Sequence, residues 1–337
     1  PLALTPLTRK DVTSDQEVRW CPGCGDYAIL AGVQGVLPTL GIARENTVVI
    51  SGIGCASRFP YYVDTYGMHS IHGRAPAIAT GLAMTRPDLA VFVVTGDGDA
   101  LSIGGNHLIH ALRRNVNITV LLFNNRIYGL TKGQYSPTSE IGKITKSTPF
   151  GSLDTPFNPI SLALGAEAGF VARSIDSDRK HLTEVLTAAV AHRGASLVEI
   201  YQNCPIFNDD AFATLKGPEG VLISLRHGEP IVFGGGEYCV IRTVDGQYKV
   251  AATADADEAS IVVHDETREE PSQAFALSRL TEPGILRQAP IGIFRRVERP
   301  AYDDLVRDQI RTVEAEDQAA AIAAMIAGKA TWEADER

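Results

Sequence analysis

The sequence predicts an α/β fold in which helices flank a central, mainly parallel sheet, with a C-terminal extension after it. Three observations lead there. β-rich runs alternate with helical patterns from about residue 26 to 204, the grammar of a parallel sheet. Most of those runs are continuously apolar, as strands covered on both faces must be. A chain of 337 residues with 45% hydrophobic content has room for one large α/β domain and an appendage.

The strands are expected at 47–51 (TVVIS), 90–95 (AVFVVT), 118–123 (ITVLLF), 170–175 (FVARSI) and 196–201 (SLVEIY). A helix is expected over 182–191, after a cap at Asp178 and before Gly194. The stretch CPIFNDDAFATLKGPEG ends this pattern. From about residue 231 the character changes to short β-like runs (YCVIRTV, YKVAAT, SIVVHD) and then a helical tail. The expected division is a main domain over 1–204 and an extension over 205–337 packed on it.

Charge excludes one class of partner. Lys and Arg number 31 against 40 Asp and Glu, and a net charge of -9 repels a phosphate backbone, so nucleic acid is not expected. No apolar run approaches the roughly 20 residues needed to cross a bilayer, and the opening PLALTPLTRKDVTSD lacks a secretory core. The expected compartment is the cytoplasm. Thiols stay reduced there, so Cys21, Cys24, Cys55, Cys204 and Cys239 read as metal ligands or catalytic groups before disulfides.

Two constellations carry chemistry. Gly96-Asp97-Gly98-Asp99 follows the run AVFVVT, and Asn124-Asn125 ends ITVLLF, with 25 residues between Gly98 and Asn124. In a right-handed βαβ unit both strands deliver their ends to one sheet edge, so Asp97 and Asn125 converge where Mg²⁺ and a diphosphate could be held. Taken alone, Gly-Asp-Gly is as readily a turn; the spacing makes the difference. The second constellation is Cys21-Pro-Gly-Cys24, a tight CxxC turn, with Cys55 and Cys204 each following a strand that ends at that same edge. Four thiols there suit a 4Fe-4S cluster or a structural zinc. Cys239, inside the run EYCVIRTV, reads as a buried, inert thiol.

The spacing of Gly96-Asp97-Gly98 and Asn125 resembles the diphosphate-Mg²⁺ signature of thiamine-diphosphate enzymes. With Trp20-Cys21-Pro-Gly-Cys24-Gly-Asp26, Gly52-Ile-Gly54-Cys55, His72-Gly73-Arg74 and Tyr128-Gly-Leu-Thr-Lys-Gly-Gln134, in order over about residues 15 to 210, the chain resembles the β subunit of 2-oxoacid:ferredoxin oxidoreductases. The stretch 128–138 is most like the 2-oxoglutarate branch. The resemblance implies a thiamine-diphosphate-binding fold. It implies Mg²⁺ on the side chains of Asp97 and Asn125 and the carbonyl of Ile127. It implies a cofactor contacted by Ile53, Gly54, Cys55, Ala56, His72, Gly73, Gly96, Gly98, Asp99, Gly129, Leu130 and Thr131. The ligands of one 4Fe-4S cluster fall on Cys21, Cys24, Cys55 and Cys204.

The implied reaction is the reversible oxidative decarboxylation of 2-oxoglutarate to succinyl-CoA, with coenzyme A as co-substrate and ferredoxin as electron acceptor. His72 is expected to orient or protonate an intermediate, unless it is simply a hydrogen-bonded loop residue, and Arg58 to meet the distal carboxylate. Only one α/β domain is apparent, so the glutamate that activates thiamine is expected from an α subunit, in an αβ or (αβ)₂ assembly against which the extension also packs. The competing readings are a broad-specificity or pyruvate-oxidising relative, a non-redox thiamine enzyme, and a zinc-stabilised interaction subunit.

Overall fold

The computed structural model describes residues 6–216, 221–281, 286–313 and 317–330. Eight strands, β1 (Thr47–Ser51), β2 (Tyr66–His69), β3 (Ala90–Gly96), β4 (Thr119–Asn124), β5 (Phe170–Ile175), β6 (Ser196–Tyr201), β7 (Val221–Leu225) and β11 (Gln288–Arg296), form one sheet. Their order in it is β2-β1-β3-β4-β6-β5-β11-β7. β1 to β6 are all parallel. β11 pairs antiparallel with β5, and β7 runs parallel to β11. The five expected strands form within one residue of their expected bounds.

Continuous apolarity has the anticipated cause. The central strands β4, β5 and β6 are buried at every position, and helices cover both faces. On one face, α1 (Asp26–Val36) and α6 (Arg179–Ala191) close over Val49, Phe92, Leu121 and Val198. On the other, α2 (Ala75–Thr85), α4 (Gly105–Arg113) and α5 (Pro159–Gly165) close over Val48, Val93, Leu122 and Leu197. The short α3 (Asp97–Leu101) lies between β3 and α4. The Asp178 side chain accepts from His181 N and caps α6, as its position before the helix predicts.

Residues beyond 204 contribute β7 and β11 to the main sheet and form a second, three-stranded sheet from β8 (Val232–Phe233), β9 (Tyr238–Arg242) and β10 (Tyr248–Ala252). The run SIVVHD makes only isolated bridges at Ile261 and Val263. Val262 donates to Val240 O and accepts from Ile231 N, so its backbone is divided between two segments and no ladder grows along either. Helices Ser272–Ser278, Tyr302–Val313 and Gln318–Ala327 follow. Arg307 Nη1 ties the second of these to α2 through the carbonyl of Ala83, at 3.1 Å. Residues 217–220, the end of the Gly/Pro stretch, lie outside the described residues. None of the described helices is long and apolar enough to cross a membrane.

Candidate active site

Because β1, β2, β3, β4 and β6 are parallel, the loops at their C-terminal ends gather at one edge of the sheet. Three of those loops are tied to one buried carboxylate. Asp99, 2% exposed, accepts from Ile53 N at 3.1 Å, Gly73 N at 2.7 Å, His72 Nδ1 at 2.6 Å and Thr95 Oγ1 at 2.6 Å. The glycines around it are required by close approach. A Cβ on Gly52 would be driven into the Asp99 carboxylate, and one on Gly73, whose φ is +73°, into the Gly104 backbone.

A cavity of about 550 Å³ opens above this knot. Ile53, Gly54, Cys55 and Ala56 form one wall; Gly96, Asp97, Gly98 and Asp99 form the floor; Asn125, Ile127, Gly129, Leu130 and Thr131 form the far side, with His72 over it. Eleven of the twelve expected cofactor contacts thus line one space together with the three expected Mg²⁺ donors, Asp97, Asn125 and Ile127; Gly73 stands behind it as a donor to Asp99. Phe123, Tyr128 and Gln134 complete the lining without having been singled out from the sequence. Tyr128 and Gln134 bound the YGLTKGQ segment, where Tyr128 N donates to Gln134 O at 2.9 Å and closes a turn, while Phe123 ends the run ITVLLF. Gly98 proves to be needed for Tyr128. A Cβ there would collide with the Tyr128 ring, whose hydroxyl donates to Gly98 O at 2.9 Å. His72 is held by Asp99 through Nδ1, which leaves Nε2 as the nitrogen for the cavity.

Asp97 is 2% exposed, and its Oδ2 accepts the hydroxyls of Ser136 and Thr138, each at 2.5 Å. Burial, only partly opposed by those hydroxyls, raises its pKa above the ordinary carboxylate range. Among the described residues no lysine or arginine pairs with it. A buried carboxylate in that condition fits a site completed by a cation. Asn125 Oδ1 accepts from Ile127 N at 3.2 Å, so the other two expected donors share one turn. Side-chain amide, carbonyl and carboxylate oxygens are a hard donor set suited to Mg²⁺ with a diphosphate.

The four cysteines meet beside this cavity. Cys24 N donates to Cys21 O at 3.1 Å to close the CxxC turn, and Gly25 N donates to Asn203 O at 3.0 Å, which brings that turn against the end of β6 and Cys204. Trp20 Nε1 reaches Cys55 O at 2.7 Å. Cys21, Cys24, Cys55 and Cys204 line a cavity of about 160 Å³. Among the described residues no three His, Cys, Asp or Glu side chains converge tightly enough to hold a single metal ion. Four thiols lining one cavity are the donor set of a 4Fe-4S cluster or of a structural zinc. Burial, with the neighbouring Asp26 adding to it, pushes Cys55 up to about 11 and Cys24 higher still. Thiols so raised are poor nucleophiles. Cys239 is fully buried in β9 of the second sheet and does not line this cavity.

The two cavities share a wall made of Cys55, Asn125, Gly129 and Leu130. Arg58 stands with the cysteines and does not line the cofactor cavity; its Nη1 donates to Arg19 O at 2.7 Å, and its charge draws Cys55 downward. The loop position after Cys55 was legible, but the side-chain direction in the 3-10 turn Ala56–Tyr61 was not.

Residues 52–200 match the family model described as thiamine pyrophosphate enzyme, C-terminal TPP binding domain. The chain is 64% identical to 2-oxoglutarate oxidoreductase subunit KorB of Mycobacterium tuberculosis, over 99% of this chain and 91% of the relative. It is 46% identical, over 60% of this chain and 62% of the relative, to 2-oxoacid:ferredoxin oxidoreductase 1, subunit beta, of Aeropyrum pernix. The chain belongs to the 2-oxoacid:ferredoxin oxidoreductase β subunits. A solved 2-oxoglutarate:ferredoxin oxidoreductase from Magnetococcus marinus, with 2-oxoglutarate, coenzyme A and succinyl-CoA bound, superposes with a TM-score of 0.76 at 34% identity, over 95% of this chain and 96% of that one. Coverage of that extent makes the extension after residue 204 part of this β subunit's shared architecture, although the motifs that reveal the family lie before it.

Proposed function

We propose that this chain is the catalytic-cofactor subunit of a CoA-dependent 2-oxoglutarate oxidoreductase, which converts 2-oxoglutarate to succinyl-CoA and carbon dioxide and delivers the electrons to a ferredoxin. The observation that carries this reading is the shared wall between the cofactor cavity and the four-cysteine cavity. When bound, thiamine diphosphate stabilises the carbanion at the reacting carbon, and a 4Fe-4S cluster offers a one-electron exit. Asp97 and Asn125 would hold Mg²⁺ through their side chains and Ile127 through its carbonyl. Cys21, Cys24, Cys55 and Cys204 would hold the cluster. Asp99 keeps the His72 ring against the cavity, so that its second nitrogen can take or give a proton at the substrate.

The subunit works with a partner. Among the described residues no lysine or arginine lines the cofactor cavity, so a cation for the substrate's distal carboxylate would come from the facing subunit. The same α subunit would supply the thiamine-activating glutamate in an αβ or (αβ)₂ complex. The reading requires a reducing compartment, the cytoplasm, where five unpaired thiols persist. Anaerobic purification of the assembled complex tests it. The expected result is a brown, dithionite-bleachable chromophore, about four irons per β chain and bleaching by 2-oxoglutarate with coenzyme A. A colourless protein carrying zinc would overturn it.

A further inference from the structure

Two neighbouring strands each carry one charge in an otherwise apolar run. Arg173 on β5 and Glu199 on β6 are register partners, 1% and 0% exposed, and Arg173 Nε donates to Glu199 Oε2 at 2.7 Å. The guanidinium lies over the rings of Tyr201 and Phe294, 5.0 and 5.5 Å from their centroids, and its Nη1 donates to Pro290 O at 3.2 Å. Burying such a pair gains little stability, and apolar residues of similar volume commonly serve as well. A role beyond packing is to be sought in what the pair touches.

Glu199 Oε1 accepts from Asn124 Nδ2 at 2.7 Å. Asn124 ends β4, and its Oδ1 accepts from Arg126 N at 3.2 Å, which closes a turn where Arg126 takes φ +58°. Asn125 and Ile127 project from that turn. The hydroxyl of Thr138 lies 2.9 Å from the same Oδ1 and 2.5 Å from Asp97 Oδ2. One buried amide therefore borders the Asn125–Ile127 turn directly and reaches Asp97 through the Thr138 hydroxyl, whose one proton is shared between the two oxygens. An amide can present either end, and an acceptor at Nδ2 decides which. Glu199 is that acceptor, while Arg173 occupies its other oxygen.

We propose that Glu199 is a positioning residue for the cation site: anchored by Arg173, it fixes the Asn124 amide, and through it the Asn125–Ile127 turn and the Asp97 carboxylate. This rests on the proposed role of Asp97, Asn125 and Ile127 in holding Mg²⁺.

The test uses the assembled complex, with Mg²⁺ titrated at fixed thiamine diphosphate by calorimetry and melting followed in parallel. Glu199→Gln cannot accept from both Asn124 Nδ2 and Arg173 Nε, and is expected to weaken Mg²⁺ about 10- to 100-fold, the usual effect of losing a group that orients a ligand. The exchange variant Asn124→Asp/Glu199→Gln restores the hydrogen bond with donor and acceptor reversed, and is expected to recover most of the affinity. Wild-type affinity in Glu199→Gln, or an exchange variant no tighter than Glu199→Gln, overturns the proposal. Should Glu199→Gln not fold, the exchange variant decides alone: near wild-type affinity supports the proposal, and a loss beyond tenfold overturns it. Thiamine diphosphate binding that ignores Mg²⁺ in the wild-type complex would instead refute the cation site itself.

Discussion

At the scale of single residues, two buried carboxylates carry opposite lessons. Asp97 has hydroxyl donors and no cationic partner among the described residues, and burial raises its pKa. If a cation is what completes its surroundings, Asp97→Ala should abolish tight, Mg²⁺-dependent thiamine diphosphate binding and leave the melting temperature unchanged or higher, since an uncompensated buried carboxylate is a cost to the empty fold. Calorimetry with Mg²⁺ present reads the first effect, and wild-type affinity would take the metal role from Asp97. Asp26 lies beside Cys24, where burial and then nearby Asp176 push it up to about 7 despite a hydrogen bond from the thiol. Its folded pKa thus exceeds the unfolded value of about 3.9, so the folded state binds the proton more tightly. The contribution of Asp26 to stability should therefore fall as pH rises from about 4 to about 7, by at most about 4 kcal/mol. Asp26→Asn should flatten that fall in iron-free protein, measured by thermal melts across the interval; an unchanged slope would show that Asp26 does not titrate there.

At the scale of elements, legibility followed local pattern. Strands at 47–51, 90–95 and 118–123 announce themselves by uncharged, mostly apolar runs between turns, because helices cover both their faces, and those at 170–175 and 196–201 do so with a single charge each. β2 does not: its four residues are all exposed on an edge, so no burial pattern marks them. β7 and β11 were missed for another reason. They join the sheet beyond β5 after long excursions, and β11 runs antiparallel, an assignment that depends on tertiary pairing rather than on sequence period. The lone charges of FVARSI and SLVEIY were a readable signal that a pair lies inside, but only the β5–β6 register shows them to be partners. The motif glycines stand out in the sequence, but the reason for each lies in the packing around it. Gly98 has ordinary helical geometry within α3, and its missing side chain makes room for Tyr128. Gly98→Ala should therefore displace Tyr128 and weaken thiamine diphosphate at least tenfold, a loss of about 1.4 kcal/mol. Adding Tyr128→Ser should recover part of it; a double variant no better than Gly98→Ala would mean that the glycine serves the cofactor directly.

At the scale of the whole molecule, one sheet edge collects a cofactor cavity and a thiol cavity with a common wall, and the topology explains why. Both constellations end parallel strands that are neighbours in the sheet, so sequence reasoning could place Asp97, Asn125, Cys55 and Cys204 together before any coordinates. It could not foresee that Arg58 turns to the cysteines, because a side chain's direction in a short 3-10 turn is set by what packs around it. The cavity also shows what this chain lacks. Cys55 and His72 are part-exposed and Leu130 exposed around it, and among the described residues no lysine or arginine lines it and only one such α/β unit is present. Thiamine activation needs a glutamate against the aminopyrimidine, and among the lining residues the carboxylates are Asp97 and Asp99, both already engaged by hydroxyl, amide and imidazole groups. The chain expressed alone should therefore show no CoA-dependent oxidation of 2-oxoglutarate, and activity should appear on mixing with its α subunit, saturating at equimolar ratio. An artificial electron acceptor with the isolated chain gives the stringent version of the measurement, since it bypasses ferredoxin. Full turnover under those conditions would mean that this chain holds a complete active site.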